Sequence, residues 1–419
     1  MMIRPTVSSA IPNGLFAMKH LSRRSLMTTA GVGLITRPAI ARNPFVRTGG
    51  GASDNAQRPG PLALQGAVHH IAPPSSAASI QAVINAAASG DTIFFDPGTF
   101  NIAGGITLKS NLLYIGNTQE FNGQARAILS GGSIIGDVTN ATIYGLTFAS
   151  SPITINSATN FNITNCFLNG LAGDHTSQLS PNGWTFSTIQ WCTFNDGGGI
   201  DGGGNGVNCD NLTITRNRFI SAAQPISLNP GNNQNANRNM LISFNYMTNV
   251  YRMGIEINGT DAAQWTTNLK VNDNYYDGLS TSPINTGDVQ ALSIVPGETS
   301  TVTEIARNFI YYGPGADFAD SLDGHIYLGY GIEFDGGAQS SGGHCYIHDN
   351  ILDGRSGNSS GGWDNSIFGP YTNVAHVIQN NNIYTTRGGD VVAGSNAIIS
   401  GTTHNFVPKP PQPAGGAGL

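Results

Sequence analysis

Two short stretches of the chain carry the same acid in the same setting: Tyr251–Gly259 reads YRMGIEING and Gly329–Gly337 reads GYGIEFDGG. Each holds Gly-Ile-Glu followed by an apolar residue, so Glu256 and Glu333 alternate with apolar neighbours as in a strand with one buried face. A pair of fixed carboxylates suits acid–base chemistry: one gives a proton to a leaving group, the other takes one from water. Asp335 lies two residues beyond Glu333, and a like charge there would raise one of the two pKa values. That makes Glu333 the expected acid and Glu256 the expected base. Arg252, just ahead of Glu256, is the cation expected to hold a substrate carboxylate or developing negative charge. Tyr251, Trp265 and Tyr330 are near enough in sequence to stack on sugar rings, although such aromatics as often pack loops.

What must position these residues is a repeat. The pattern apolar, two residues, Asn or Cys, one residue, apolar occurs at Ile163–Leu168, Ile189–Phe194, Ile214–Phe219, Ile242–Met247, Val271–Tyr276, Ile305–Ile310, Ile347–Leu352 and Ile378–Ile383. A divergent copy is Ile143–Phe148. Successive fourth positions are 20 to 42 residues apart. A fixed motif at variable spacing is what a solenoid with loops of different length produces. Asn is poor in ordinary strands, but stacked at a bend it can bond its copy one coil away, about 4.8 Å along the axis. Cys166 and Cys192 sit in the same column and read as fillers rather than nucleophiles.

These motifs resemble the right-handed parallel β-helix of the pectate-lyase-like superfamily over roughly residues 75–400. The resemblance implies an all-β solenoid with an N-terminal capping helix, here expected from Ser79 to Ser89 with Ile80, Val83, Ile84 and Ala87 on one face. A β-propeller or sandwich would need paired hairpin turns, which the motif lacks. Among activities the superfamily implies polysaccharide lyases, glycoside hydrolases, epimerases and non-catalytic adhesins. The Asn-x-Asp, Gly-His-Gly and Arg-x-Lys set of polygalacturonases is missing. Calcium-assisted lyase chemistry would use acidic ligands with an Arg or Lys base, and Arg252, Glu256 and Asp335 offer such groups.

Within this frame each coil needs another strand. The expected strands at 152–156, 224–229, 254–258, 291–295, 331–335 and 366–370 give an outward column of Thr154, Ser227, Glu256, Ser293, Glu333 and Phe368, with one coil at 169–207 unread. The adjoining column holds Asn156, Asn229, Asn258 and Asp335. Glu256 and Glu333 are then two coils apart, about 9.6 Å between backbones, with small Ser293 between. Inverting glycosidases set their carboxyl groups about 6.5–9.5 Å apart. The expected function is therefore an exported enzyme that cleaves a polysaccharide, a hydrolase ahead of a uronate lyase, with a non-catalytic glycan-binding β-helix as the alternative class. Asn258 and Ser293 join Tyr251, Trp265 and Tyr330 as expected substrate contacts. No metal site is assigned. Asp317, Asp320 and Asp323 miss EF-hand spacing, and Ca²⁺ stays open only as a looser oxygen site. Gly197–Gly206, GGGIDGGGNG, reads as a tight glycine loop, and His348 as a solvated outward residue.

Composition bounds the rest. The 419 residues include 55 glycines and 11% charged residues, with 39% hydrophobic and a net charge of −6. Residues 1–41 resemble a twin-arginine export signal, with Ser22-Arg23-Arg24-Ser25-Leu26-Met27, a mildly apolar stretch and Ala39-Ile40-Ala41, and with Met18 the expected start. Removing its five basic residues (Arg4, Lys19, Arg23, Arg24 and Arg37) leaves 14 basic against 25 acidic, a net of −11. Nucleic acid is excluded as an expected partner, because binding phosphates needs basic patches. Membrane association after cleavage is not expected, and the destination is the periplasm or the exterior. Residues 42–74 read as a linker, 75–405 as the β-helix and 406–419 as a disordered tail.

Overall fold

The computed structural model describes residues 62–116, 126–171, 176–202, 208–229, 237–257, 266–279, 289–294, 302–313, 329–334, 344–356, 365–369, 375–384, 389–406, 408 and 410–415. The export-signal segment lies outside them, as do the first twenty residues of the expected linker. Every described sheet pairing between named strands is parallel, and each strand pairs with its counterpart one coil away, for example Ile226–Leu228 with Ile255–Ile257 and Leu241–Ser243 with Lys270–Asn272. The result is a right-handed parallel β-helix with three strand faces per coil.

The first face runs through Ile200, Ile226, Ile255, Leu292, Ile332 and Ile367, all buried. The second runs through Ile163, Ile189, Ile214, Ile242, Val271, Ile305, Ile347 and Ile378, and the third through Phe148, Leu168, Phe194, Phe219, Met247, Tyr276, Ile310 and Leu352. Many strands are only three residues long, as in Ile255–Ile257 (in–out–in) and Thr213–Thr215 (its reverse), so one or two apolar residues per strand suffice to build a column of like side chains. First and second faces merge into one 23-stranded sheet because Ile134–Tyr144 and Ile153–Thr164 run straight through the corner between them. The third face is a separate 12-stranded sheet.

The corner between second and third faces shows why the motif carries Asn. The residue before it has positive φ in coil after coil: Asn165, Trp191, Arg216, Phe244, Asp273, Arg307, Asp349 and Asn380 lie at 53–60°. That conformation costs a non-glycine residue about 1–2 kcal/mol. The ladder offsets it. From Asn217 through Asn245, Asn274, Asn308 and Asn350 to Asn381, each Nδ2 donates to the next Oδ1 at 2.9–3.1 Å. Each Nδ2 also donates backwards, as Asn245 does to Ile214 O at 2.9 Å. Each Oδ1 accepts a backbone N–H as well, as Asn274 does from Asn245 N at 3.1 Å. Cys166 and Cys192 replace only the backward bond, with Sγ at 3.9 and 3.7 Å from Ile143 O and Ile163 O.

The cap is a helix at Ala77–Ala86, close to the expected span, with Ile80 and Ile84 buried and Ser76 accepting from Ser79 N. Gln81 lends its side-chain amide to the strand edge, accepting from Thr107 N at 2.7 Å and donating to Thr107 O at 3.1 Å. Two expected boundaries need correction. The expected linker ends early, because Val68–Ile71 pairs in parallel with Thr92–Phe95 and belongs to the solenoid. The tail is not structureless where described: Tyr275 donates to Pro410 O at 2.7 Å and Gln412 donates to Tyr246 Oη at 2.8 Å. A carbonyl-rich proline segment suits tyrosine hydroxyls, which are otherwise costly to bury.

Candidate active site

The first face presents one row of outward side chains whose register is fixed by strand pairing. Asp201 is opposite Ser227, Ser227 opposite Glu256, Glu256 opposite Ser293, Ser293 opposite Glu333, and Glu333 opposite Phe368. Carboxylates thus recur every second coil, about 9.6 Å apart by backbone. On adjacent coils they would stand about 4.8 Å apart, where like charges destabilise a sheet. The intervening serines are nearly closed to solvent, Ser227 at 6% and Ser293 at 1% exposure.

Each carboxylate receives a hydroxyl. Ser293 Oγ donates to Glu333 Oε2 at 2.8 Å, Ser227 Oγ to Glu256 Oε2 at 3.1 Å and Ser177 Oγ to Asp201 Oδ2 at 3.4 Å. Glu256 has the richest set, since Gln224 Nε2 and Asn229 Nδ2 also donate to Oε2. Gln224 Oε1 accepts from Arg252 Nη1 at 3.2 Å. Guanidinium only donates and carboxylate only accepts, so the amide between them has one orientation that serves both. Arg252 therefore braces Glu256 through Gln224.

The row is electrostatically uneven. Burial raises the Asp201 pKa above the ordinary carboxylate range, the charge of Glu256 raises it further, and the Ser177 hydrogen bond opposes them. The residue itself is exposed to solvent. Beside Ser177 lies a pocket of about 140 Å³ lined by Phe148, Pro152, Leu168, Leu171 and Gln178. Among the described residues no group of three or more His, Cys, Asp or Glu converges as a metal site.

Neither a family model nor a curated protein matches the sequence. The solved structure of the Streptococcus pneumoniae surface protein and adhesin PfbA is similar with a TM-score of 0.51, at 14% identity over 79% of this chain and 100% of that one. The PL6 family alginate lyase AlyGC gives 0.43 at 14% identity, over 78% of this chain and 40% of that one. The hyperthermoactive exopolygalacturonase of Thermotoga maritima gives 0.40 at 12% identity, over 80% and 92%. The chain spans about two fifths of the length of the alginate lyase. The shared feature is the fold. This is a parallel β-helix.

Of the residues expected from sequence, Glu256, Ser293 and Glu333 share the row, and Arg252 reaches it through Gln224. Tyr251 is half-buried, with its backbone N–H on Ala222 O. Tyr330 is 6% exposed and stacks flat on Phe368, ring centroids 4.1 Å apart, so its ring is covered instead of offering a sugar platform. Asn258, Trp265 and Asp335 lie outside the described residues, as do Asp317, Asp320 and Asp323, and with them the expected pairing of Glu333 with Asp335. Sequence reading missed Asp201 and Gln224. The expected glycine loop at 197–206 is in part a strand, Ile200–Gly202, and supplies Asp201. The clue was present: Gly199-Ile200-Asp201 is a third copy of Gly-Ile-acid. A Cβ on Gly199 would meet Pro225 O at 2.5 Å, and one on Gly254 would meet Ala291 O at 2.6 Å, so the next coil's backbone requires both glycines. His348, expected in solvent, is 8% exposed and lies between Glu304 at 3.3 Å and Asp349 at 2.7 Å.

Proposed function

We propose that this protein cleaves a polysaccharide laid along the Asp201–Ser227–Glu256–Ser293–Glu333 row, as a glycoside hydrolase. The observation that carries this reading is a pair of carboxyl groups, Asp201 and Glu256, two coils apart, one with a raised pKa partly because of the other's charge. Environments that separate two carboxyl groups in this way divide the roles of acid and base. Asp201 then protonates the glycosidic oxygen as its bond to the anomeric carbon breaks. Glu256 takes a proton from the water that forms the new bond at that carbon. A backbone separation of about 9.6 Å suits a water on the opposite face of the sugar. Glu333, two coils on, would orient the next sugar unit.

A uronate lyase is the second reading, favoured by Arg252. A cation braced beside Glu256 would neutralise the uronate carboxylate while Glu256 removes the proton from the carbon bearing that carboxylate. A carbon–carbon double bond then forms as the glycosidic carbon–oxygen bond breaks, and the leaving oxygen takes a proton from Asp201. Export by the twin-arginine route, to the periplasm or beyond, belongs to the same proposal, because polysaccharides of this size are met outside the cell.

The test is a panel of neutral and uronate glycans assayed for new reducing ends and for the ultraviolet absorbance of unsaturated products. Reducing ends without that absorbance support hydrolysis, and both together support the lyase. Cleavage that survives in Glu256→Gln and Asp201→Asn alike overturns the assignment. Binding without cleavage by the wild-type chain leaves a glycan-binding β-helix.

A further inference from the structure

The second face changes character part-way along the solenoid. Its alternate positions run Asn162, Thr188, Thr213 and Leu241 in one column and Thr164, Gln190, Thr215 and Ser243 in the other, aligned coil to coil. Then one column becomes Lys270, Glu304 and Tyr346, and the other Asn272, Ala306 and His348. None of those eight earlier positions carries a charge or an aromatic ring. Here the side chains border a groove of about 600 Å³ whose lining includes Arg238, Asn239, Asn268, Lys270, Glu304 and Tyr346. That volume is within the usual range for a small-ligand site, about 300–1,000 Å³.

The groove is built rather than incidental. Glu304 is held by Lys270 at 3.7 Å, Arg307 at 3.8 Å and His348 at 3.3 Å. Tyr346 is fixed by stacking on His348, ring centroids 3.9 Å apart, and by donating its hydroxyl to Gln379 Oε1 at 3.2 Å. Along the wall Asn268 donates to Asn239 Oδ1 at 2.8 Å and Asn239 to Asp210 Oδ1 at 2.9 Å. A clamped aromatic and a row of amides, spread over about three coil steps or roughly 14 Å, match the ring faces and hydroxyls of a short oligosaccharide. The lining charges select its class. Arg238 and Lys270 are exposed cations against the single anion Glu304, in a chain whose net charge is −6.

We infer that this groove is a second glycan site, separate from the carboxylate row, that holds an acidic oligosaccharide by its carboxylates on Arg238 and Lys270 with Tyr346 beneath a ring. The inference shares with the proposed function only the class of ligand, since binding here needs no cleavage at the row.

The experiment counts sites by titration calorimetry, using hexamers of galacturonate and of mannuronate, with a cellulose-derived hexamer as neutral control. Glu256→Gln keeps the probe intact, and the double variant Arg238→Glu/Lys270→Glu is made in that background. Both reversed positions are exposed, so the fold should survive, and circular dichroism checks it. The expected result is two uronate hexamers per chain, falling to one on charge reversal, with the lost site weakened tenfold or more and the first to fail as salt rises. If the row takes no uronate, the count is one falling to zero, which upholds the groove and leaves the row to be judged on the other glycans of the panel. A count that charge reversal leaves unchanged, equal binding of the neutral hexamer at this site, or no uronate bound at all would overturn the inference.

Discussion

Replacing Glu256 with Gln separates chemistry from architecture. The hydrogen bonds that hold this side chain converge on Oε2, from Gln224, Ser227 and Asn229. A glutamine whose carbonyl oxygen takes that position keeps these three donors. What it loses is charge. Hydrogen bonds to a charged acceptor contribute about 1.5–3 kcal/mol and neutral ones about 0.5–1.5, a difference of about 1–1.5 per bond, so losing charge at three bonds should weaken the fold by up to about 3–5 kcal/mol. A general base contributes about 10²–10⁴-fold in rate, which is about 3–5 kcal/mol at 1.36 kcal/mol per decade. The two losses are of similar size, so they are told apart by measuring turnover under conditions where the melt shows the variant fully folded. A second readout follows from Asp201. Its pKa is raised in part by Glu256, so removing that charge lowers it. The alkaline limb of any residual activity should then move to lower pH. The assay is reducing-end release across a pH series on whichever glycan the panel identifies, alongside a denaturant melt. A kcat/KM within about threefold of wild type, with an unmoved alkaline limb, would refute the argument that Glu256 is the base.

Four further outcomes are expected. Asp201→Asn should stabilise the protein at neutral pH: a raised carboxyl pKa means that ionisation opposes folding above the folded pKa, and the gain should vanish once pH falls below the unfolded value. Glu304→Gln should do the reverse, because its pKa is lowered, with burial opposed by hydrogen bonds to Asn272 and His348 and by Lys270; stability should be lost above the unfolded pKa and regained relative to wild type as pH falls through the folded one. Asn274→Ala strands Asn245 N and Ile242 O and should cost about 2–5 kcal/mol by denaturant midpoint, with Asn274→Cys costing less because Cys166 and Cys192 already keep the backward contact. Ending the chain at Phe406 removes the carbonyl that accepts from Tyr275 and the amide that donates to Tyr246, whose hydroxyl keeps Asp277, and should cost about 1–2 kcal/mol, read together with a change in tyrosine fluorescence.

How much was legible follows from what repeats. The ladder motif states its own structure: an Asn preceded by a bend and followed by an apolar residue is needed once per coil, so each copy confirms the last. The alternation in Gly-Ile-Glu gave the outward parity of Glu256 and Glu333, and Ser293 between them followed from counting coils. Asp201 escaped because its coil is short and glycine-rich, which hides a three-residue strand among turn-forming residues. Gln224 escaped because an amide has no sequence signature for bridging an arginine to a carboxylate. His348 was misjudged because a neighbour such as Glu304 is 44 residues away.

By itself the sequence determined the coil: columns of Ile, Phe and Asn can satisfy burial and backbone bonding only by stacking on copies of themselves, and that need is local and periodic. Which carboxylates become neighbours, which of them is raised, and which face gathers charge were decided by the stacked structure alone. Those properties depend on distances across coils, and loop lengths that vary from coil to coil put such distances beyond reading along the chain.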